Sequence, residues 1–347
     1  MKLLIIAQKV DVNDDNLGFF CRWLKEFGQY LEKVYAVGLA CGAHDLPENI
    51  TVYSLGKEKG YGKLKQFLIL QKLLFQNLSK VDGVFVHMAP VFAALSYPLA
   101  KVFNKKLILW YAHGSVHVLL RLAEKMVDKI VTSSAEGCRL KSKKIRILGQ
   151  GIDTDQFKPS ELFPGADEIK LGLKILSVGR ISPIKDQKTL IKAIDILVNQ
   201  KGWKDLEIKI IGTPIEDYEK EYFEQLKELI AEKKLRNYIK FLGGMNHRQM
   251  PRYYQDADLF INTSFTGSMD KVVLEAMASG CLVLNCNEAY RETLDEKYMF
   301  RRKDSKGLAE KIFNLKDAPK NGNLRRIVIE NHNLDGLIKK IIRQFNV

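Results

Sequence analysis

Short β-type runs alternate with amphipathic helical stretches along almost the whole chain, and this rhythm restricts the possible folds more than any other feature. In the first half, strands are expected at KLLIIA, KVYAVGL, GVFVH, KLILWYA and KIVTSS, with helical patterns between several of them, such as residues 17–31, LGFFCRWLKEFGQYL. The second half repeats the pattern with KILSVG, LEIKIIG, YIKFLG, DLFINTS and CLVLNC, and with helices at 186–199, 216–234 and 248–255. Strands separated by helices pair in parallel, with the helices covering both faces of the sheet. The class is α/β, doubly wound and Rossmann-like.

At 347 residues the chain is too long for one core and suits two domains. Periodicity lapses in GIDTDQFKPSELFPGADEIK, where Pro159, Pro164 and Gly165 sit among polar residues, so the linker is placed there. The expected layout is a domain at 1–155, a linker at 156–170, a second domain at 171–331 and a final helix at 332–347. That helix, LDGLIKKIIRQF, is amphipathic and is expected to pack back onto the amino-terminal lobe. Two such lobes facing a cleft would bind ligands at the carboxyl ends of their strands.

The longest apolar region, residues 83–103, is divided by His87, Pro90 and Pro98, and reads as a strand, a turn and a core helix rather than a membrane span. The opening MKLLIIAQKVD lacks a small-residue cleavage site and reads as a first strand, not a signal peptide. Five scattered cysteines with no CxxC pair read as reduced thiols, which points to the cytoplasm.

The net charge of +14 suits nucleic acid, anionic lipid or a polyanionic small substrate. Many lysines lie beside glutamates on helix faces, as in EDYEKEYFEQLKELIAEKKL, and form a solvated surface. No nucleic-acid module is present and no aromatic residues interleave with basic ones on a strand platform, so nucleic acid is not an expected partner. Residues 57–80, KEKGYGKLKQFLILQKLLFQNLSK, place leucines and phenylalanines on one helical face flanked by lysines. That pattern fits either contact with an anionic membrane surface, at the inner face, or a core-facing helix with a lysine edge.

No GxGxxG follows the first strand and no P-loop occurs. In GRISPIKDQKTL, Gly179 ends a strand, Arg180 follows at once, and Lys185 arrives where a helix begins. Such a turn either holds a diphosphate between two cations and helix amides or merely decorates a loop. In SFTGSMDKVVLEAMASG, Ser264, Thr266 and Ser268 are N-cap candidates for a helix whose amino end makes a second anion site. Glu275 lies within the apolar part of that helix. A buried carboxylate needs partners, and either two ribose hydroxyls or a lysine such as Lys271 would serve. The histidines His44, His87, His117, His247 and His332 show no joint spacing for a metal or a triad, although His117 is positioned to share a helix face with His113.

Together, VGRISPIKDQKTLIKAI and FINTSFTGSMDKVVLEAMASGCLVL resemble the family 4 glycosyltransferases, retaining enzymes of the GT-B fold. QKVDVNDDNLGFF, WYAHG and ILGQGIDTDQFKP extend the likeness over nearly the whole chain. The resemblance implies transfer of a sugar from a nucleotide-diphosphate sugar to an acceptor hydroxyl in glycan or glycolipid biosynthesis, with no cofactor and no metal. It implies that Arg180 and Lys185, beside Gly179, hold the diphosphate, that Glu275 holds the ribose, and that Gly18 lets the backbone approach the sugar-phosphate. His113 would face the transferred sugar, and Gly243, Gly244 and Met245 would border the base. The remaining donor contacts would come from Gly267, Ser268, Met269, Asp270 and Lys271.

One position departs from the family pattern. Many members carry two glutamates with seven residues between them, and Gly267 stands where the first should be. Asp270 is the nearest acidic residue and either holds the sugar or caps the helix. The competing readings are a nucleotide-sugar epimerase of the same two-lobed shape and a basic nucleic-acid-binding protein. The expected partners are a nucleotide sugar and an unidentified acceptor.

Overall fold

The computed structural model describes residues 1–14, 17–160, 172–265, 267–319 and 322–346. It divides into two compact units, Met1–Asp153 with Asn333–Val347, and Thr154–His332. Most of the expected linker, including Pro164 and Gly165, lies outside the described residues.

The first unit contains β1 (Lys2–Val10), β2 (Lys33–Cys41), β3 (Ile50–Ser54), β4 (Gly83–His87), β5 (Lys106–Trp110), β6 (Lys129–Thr132) and β7 (Ile145–Ile147). They form one parallel sheet in the order β3-β2-β1-β4-β5-β6-β7, with Leu3 registered between Val34 and Gly83. The covering helices are α1 (Phe19–Tyr30), α2 (Lys63–Asn77), α3 (Pro90–Val102), α4 (Val118–Met126) and the terminal helix Leu334–Asn346.

Strand β1 shows why the run KLLIIA has no polar alternation. Leu3, Ile5 and Ala7 pack on one face with Phe20, Trp23 and Phe27 of α1 and with Leu337, Ile338, Ile341 and Phe345 of the terminal helix. Leu4 and Ile6 pack on the other face with Leu70 and Leu74 of α2, Ala93 of α3, and Leu120 and Ala123 of α4. Side chains alternate across a strand, so a sheet covered twice needs apolar residues at every position. The terminal helix joins the amino-terminal unit, as expected from its amphipathic face.

The second unit contains β8 (Leu173–Val178), β9 (Leu206–Ile211), β10 (Ile239–Phe241), β11 (Leu259–Asn262) and β12 (Leu282–Asn285), all parallel and ordered β10-β9-β8-β11-β12. Its helices are α5 (Gln187–Asp195), α6 (Asp217–Glu232), α7 (Met250–Asp256), α8 (Lys271–Ala278), α9 (Ser305–Leu315) and α10 (Gly322–Asn331). Residues 154–160 belong to this unit. Phe157 is buried edge-on to the rings of His247 and Tyr254, and Arg325 donates to its carbonyl at 2.9 Å.

None of the five cysteines is in a disulfide. Among the described residues no helix is long and apolar enough to cross a membrane.

Each strand order reverses direction once, between β1 and β4 in the first unit and between β8 and β11 in the second. At such a point successive crossovers leave to opposite sides, and a crevice opens beyond the carboxyl ends of the two strands. The chain segments that leave β8 and β11 contain GRISPIK and SFTGSMD.

Candidate functional site

Beyond the sheet of the second unit, the chain stays tied together. Gly179 donates to the Ile211 carbonyl at 3.0 Å, and Gly212 to the Gly243 carbonyl at 2.8 Å. Gly212 has φ 144°, and a Cβ there would lie 2.0 Å from the Gly179 oxygen, so only glycine permits this approach. The next residue after Gly179 is Arg180, whose Nε lies 3.1 Å from Glu219 Oε1.

Glu219 is fully buried, and its other oxygen accepts from the amides of Ile215 at 2.9 Å and Glu216 at 3.1 Å. Burial pushes this carboxyl up, but those amides and the Arg180 charge outweigh it and hold it below the usual carboxylate range. Among the described residues the two Nη groups of Arg180 have no ion-pair partner, and its side chain is 41% exposed. The guanidinium is thus held by one edge and offers the other.

Lys185 closes the short turn Pro183–Lys185 ahead of α5. Its carbonyl accepts from Thr263 Oγ1 at 2.6 Å, and Phe265 donates to the Ile184 carbonyl at 2.9 Å, so the loops after β8 and β11 are laced together. The ammonium donates to Asp270 Oδ1 at 2.7 Å and to Ser264 Oγ at 3.2 Å. An ammonium has three N–H groups, which leaves one for a ligand. Asp270 Oδ2 accepts from Asn262 at 3.2 Å and Asn287 at 2.9 Å. Burial would raise the Asp270 carboxyl, but the Lys185 charge and these hydrogen bonds hold it below its ordinary value.

Asp270 occupies the N-cap position of α8 in extended conformation, yet its side chain makes no capping bond. This corrects the expectation that Ser264 or Ser268 caps the helix; Thr266 lies outside the described residues. Ser264 instead receives Lys185, and the Ser268 carbonyl accepts from Asn287 at 2.7 Å. A half-buried ammonium and two amides hold the Asp270 carboxylate more strongly than a single helix amide would. Gly267 has a left-handed φ of 66°, and Met269 is buried between it and the helix.

Glu275 is 4% exposed, and the protein supplies partners that neither expected reading named. Oε1 lies 3.0 Å from His247 Nε2, and Oε2 accepts from Tyr254 OH at 3.0 Å. Burial pushes the Glu275 carboxyl up, while His247, Tyr254 and the nearby Lys271 charge pull it below the usual range. Burial also drives the Lys271 ammonium down to about 7, against the pull of Glu275. Gly243 and Gly244 follow β10; Gly243 is left-handed at φ 75°, and the Met245 sulfur accepts from Tyr253 OH at 3.6 Å.

Gly18 and His113 belong to the first unit. Gly18 follows β1 and begins α1, and a Cβ there would meet the Asp14 carbonyl at 2.5 Å. His113 follows β5, is exposed, and its Nδ1 lies 2.8 Å from Ser115 Oγ. The expected shared helix face with His117 is not formed. His117 is the N-cap of α4, accepting from the Leu120 amide, and His113 precedes it in a loop. His87 is buried among Phe20, Trp23 and Trp110.

The second unit therefore assembles Gly179, Arg180, Lys185 and Asp270 around the ends of β8 and β11, with Lys271 and Glu275 on the helix that follows. Sequence reasoning missed Glu219, Asn262, Asn287, His247 and Tyr254. The EDYE capping box signals Glu219, because the third residue after the N-cap of such a box turns its side chain back to the N-cap amide, here that of Glu216. Asparagines ending the apolar runs FIN and LVLN were a further available signal for buried polar partners.

Residues 165–335 match the family model described as glycosyl transferases group 1. The chain is 27% identical over 150 residues to mannosylfructose-phosphate synthase of Agrobacterium fabrum, a stretch covering 41% of this chain and 32% of that protein. It is 28% identical to an uncharacterized glycosyltransferase of Haemophilus influenzae over 72% of this chain and 70% of that one. The crystal structure of Anabaena HepE in complex with UDP superposes with a TM-score of 0.79 over 100% of both chains, at 18% identity. The chain thus spans about a third of the first relative's length and the whole of the HepE fold. It has the GT-B fold, and the stretch that matches the model of glycosyl transferases group 1 covers most of its second unit.

Proposed function

We propose that the protein is a retaining glycosyltransferase that moves a sugar from a nucleoside diphosphate sugar to an acceptor hydroxyl. The observation that carries this reading is the pair of fixed cations at the ends of β8 and β11. Arg180 and Lys185 are each anchored by a buried carboxylate and each keep donors to spare. Negative charge grows on the diphosphate as the glycosidic bond breaks, and donors fixed in advance stabilise it without reorganising. With retention, the leaving phosphate oxygen takes the acceptor proton as the new bond forms on the same face of the sugar. In this reading the cations carry the leaving-group charge without a metal.

Glu275 is proposed to receive the ribose hydroxyls, since each of its oxygens accepts one protein donor and keeps capacity for another. Gly243, Gly244 and Met245 border the base, and the Gly267–Met269 backbone with Asp270 and Lys271 forms the sugar and phosphate contacts. His113 positions the sugar, and Gly18 lets the chain approach it. The acceptor is proposed to be a glycan or glycolipid hydroxyl on the cytoplasmic side of a membrane. UDP is the first probe, because HepE has been solved with UDP and with UDP-glucose.

The test is a panel of nucleotide sugars, with and without acceptors and with a chelator. Products are read by mass and the anomer by NMR. Arg180→Ala or Lys185→Ala should each cost about 2–4 kcal/mol of transition-state stabilisation. His113→Ala should lower turnover while UDP binding persists. Near-normal activity in both cation variants would overturn the assignment.

A further inference from the structure

Helix α2 carries large apolar side chains on two faces. Leu70, Leu73 and Leu74 are buried against the sheet, whereas Leu64, Leu68 and Phe75 are 73%, 58% and 66% exposed. At about 3.6 residues per turn, Leu64, Leu68 and Phe75 fall on one outward stripe, bordered by the exposed Phe67. Phe75 also meets Phe103, just past the end of α3, edge-on at 6.0 Å, beside the exposed Val102. On α4, which covers the same sheet face, Val118, Leu119 and Leu122 are exposed as well. Single exposed apolar residues are ordinary, but a stripe of them, here broken once by Gln71 as it donates to the Leu95 carbonyl at 3.1 Å, marks a contact surface.

The charge around the stripe separates this helix from the lysine-rich surface elsewhere. On α6, Lys220 pairs with Asp217 and Lys227 with Glu224, each at 2.8 Å, so that surface neutralises itself. Residues 57–80 contain six lysines and one glutamate. That glutamate, Glu58, is engaged by Ser54 at 2.7 Å and by the Cys41 amide at 3.2 Å. Among the described residues, Lys57, Lys63, Lys65 and Lys72 form no ion pair; Lys65 lies over the Tyr61 ring at 3.3 Å. By helical spacing, Lys63 flanks the stripe on one side and Lys65 and Lys72 on the other.

We propose that the outward face of α2 docks on an anionic lipid surface, with the apolar stripe entering the boundary between headgroups and acyl chains and the lysines meeting lipid phosphates. An apolar stripe edged by uncompensated lysines is complementary to that surface in both shape and charge. The inference stands on α2 and its neighbours and does not depend on the donor chemistry.

Co-sedimentation tests it, using vesicles of phosphatidylcholine alone and of phosphatidylcholine mixed equally with phosphatidylglycerol, at physiological and at high salt. The protein should bind the anionic vesicles, much less the neutral ones, and release as salt rises. The triple variant Leu64→Ser, Leu68→Ser, Phe75→Ser should lose at least about tenfold in binding. Replacing Lys63, Lys65 and Lys72 with glutamine should lose about fivefold per residue. All six side chains are exposed, so an unchanged melting temperature certifies the fold of both variants. Absence of binding to anionic vesicles, equal binding to neutral ones, or binding unaffected by the serine variant overturns the proposal. So does a concentration-dependent dimer that the serine variant abolishes, because a second copy would then cover the stripe.

Discussion

Replacing Asp270 with asparagine probes the Lys185 site without changing its size. The carboxylate accepts from Lys185 on one oxygen and from Asn262 and Asn287 on the other. An amide offers one acceptor and one donor, so one side of the substituted group must present N–H groups to a donor. The neighbouring asparagines are not free to turn and relieve this. Asn262 Nδ2 also donates to Asn285 at 2.8 Å, and Asn287 donates to the Ser268 carbonyl at 2.7 Å while accepting from the Ala289 amide at 3.1 Å. Losing the charged hydrogen bond costs about 1.5–3 kcal/mol, and a buried donor without an acceptor costs about 1–3 kcal/mol. Lys185 keeps Ser264 and is 19% exposed, which trims the first contribution. We therefore expect a loss of about 2–4 kcal/mol, which lowers the midpoint of the second unit by about 10 °C. Scanning calorimetry at neutral pH reads the shift, and titration with UDP reads the site. Removing a negative charge beside Lys185 should leave UDP bound at least as tightly, while the preference among donor sugars changes. The pH dependence follows from the sign of the shift. A carboxyl held low in the folded state contributes stability above its unfolded value and loses it as pH falls through the folded value. The gap between parent and variant should accordingly close in acid. Equal midpoints at neutral pH, or a gap that persists in acid, would refute the reasoning.

Lys271 gives a shift of the opposite kind. With a folded value of about 7, it binds fewer protons folded than unfolded between there and 10.5, so stability should rise with pH across that window. Lys271→Met should flatten the rise in denaturant midpoint, and an unchanged slope counts against the burial of that ammonium. Glu219→Gln keeps an acceptor for the Ile215 and Glu216 amides but turns an NH2 group toward Arg180. UDP affinity should fall about tenfold. The double variant with Arg180→Ala should lose no more than Arg180→Ala alone, and additive losses would show that Glu219 does not act through Arg180.

What could be read from the sequence follows from how far apart the interacting residues lie. The runs at β1, β4 and β11 are mostly apolar because both faces are covered, and all ten expected strands are found. The two missed strands, β3 and β7, are the edges of the seven-stranded sheet. Both are short and mostly not fully buried, so neither shows the continuous apolar run of an inner strand. The cations Arg180 and Lys185 could be read from their place after a strand-ending glycine. Their anchors could not. Asp270 lies 85 residues from Lys185, and His247 lies 28 residues from Glu275, so only the fold brings each pair together. Local rules also put Ser264 and Ser268 forward as caps, whereas the N-cap position falls to Asp270, the residue also read as a cap, though without a capping bond. They weigh Ser264 and Ser268 against nearby helix amides and cannot include the competing demand of an ammonium on a distant loop.

The terminal helix lies against the first unit although the entire second unit separates them in the chain. During synthesis the sheet face of Leu3, Ile5, Phe85 and Ile108 emerges early, while Leu337, Ile338, Ile341 and Phe345 emerge only after residues 154–332. At about 5–20 residues per second the interval is roughly 10–40 s. For that period the first sheet presents an apolar face that α1 covers only in part, open to chaperones and to aggregation, while the second unit is free to fold on its own. Completion of the first unit thereby certifies that the ribosome has read through the second, so translation that stops early leaves a nascent fragment marked by its own exposed core.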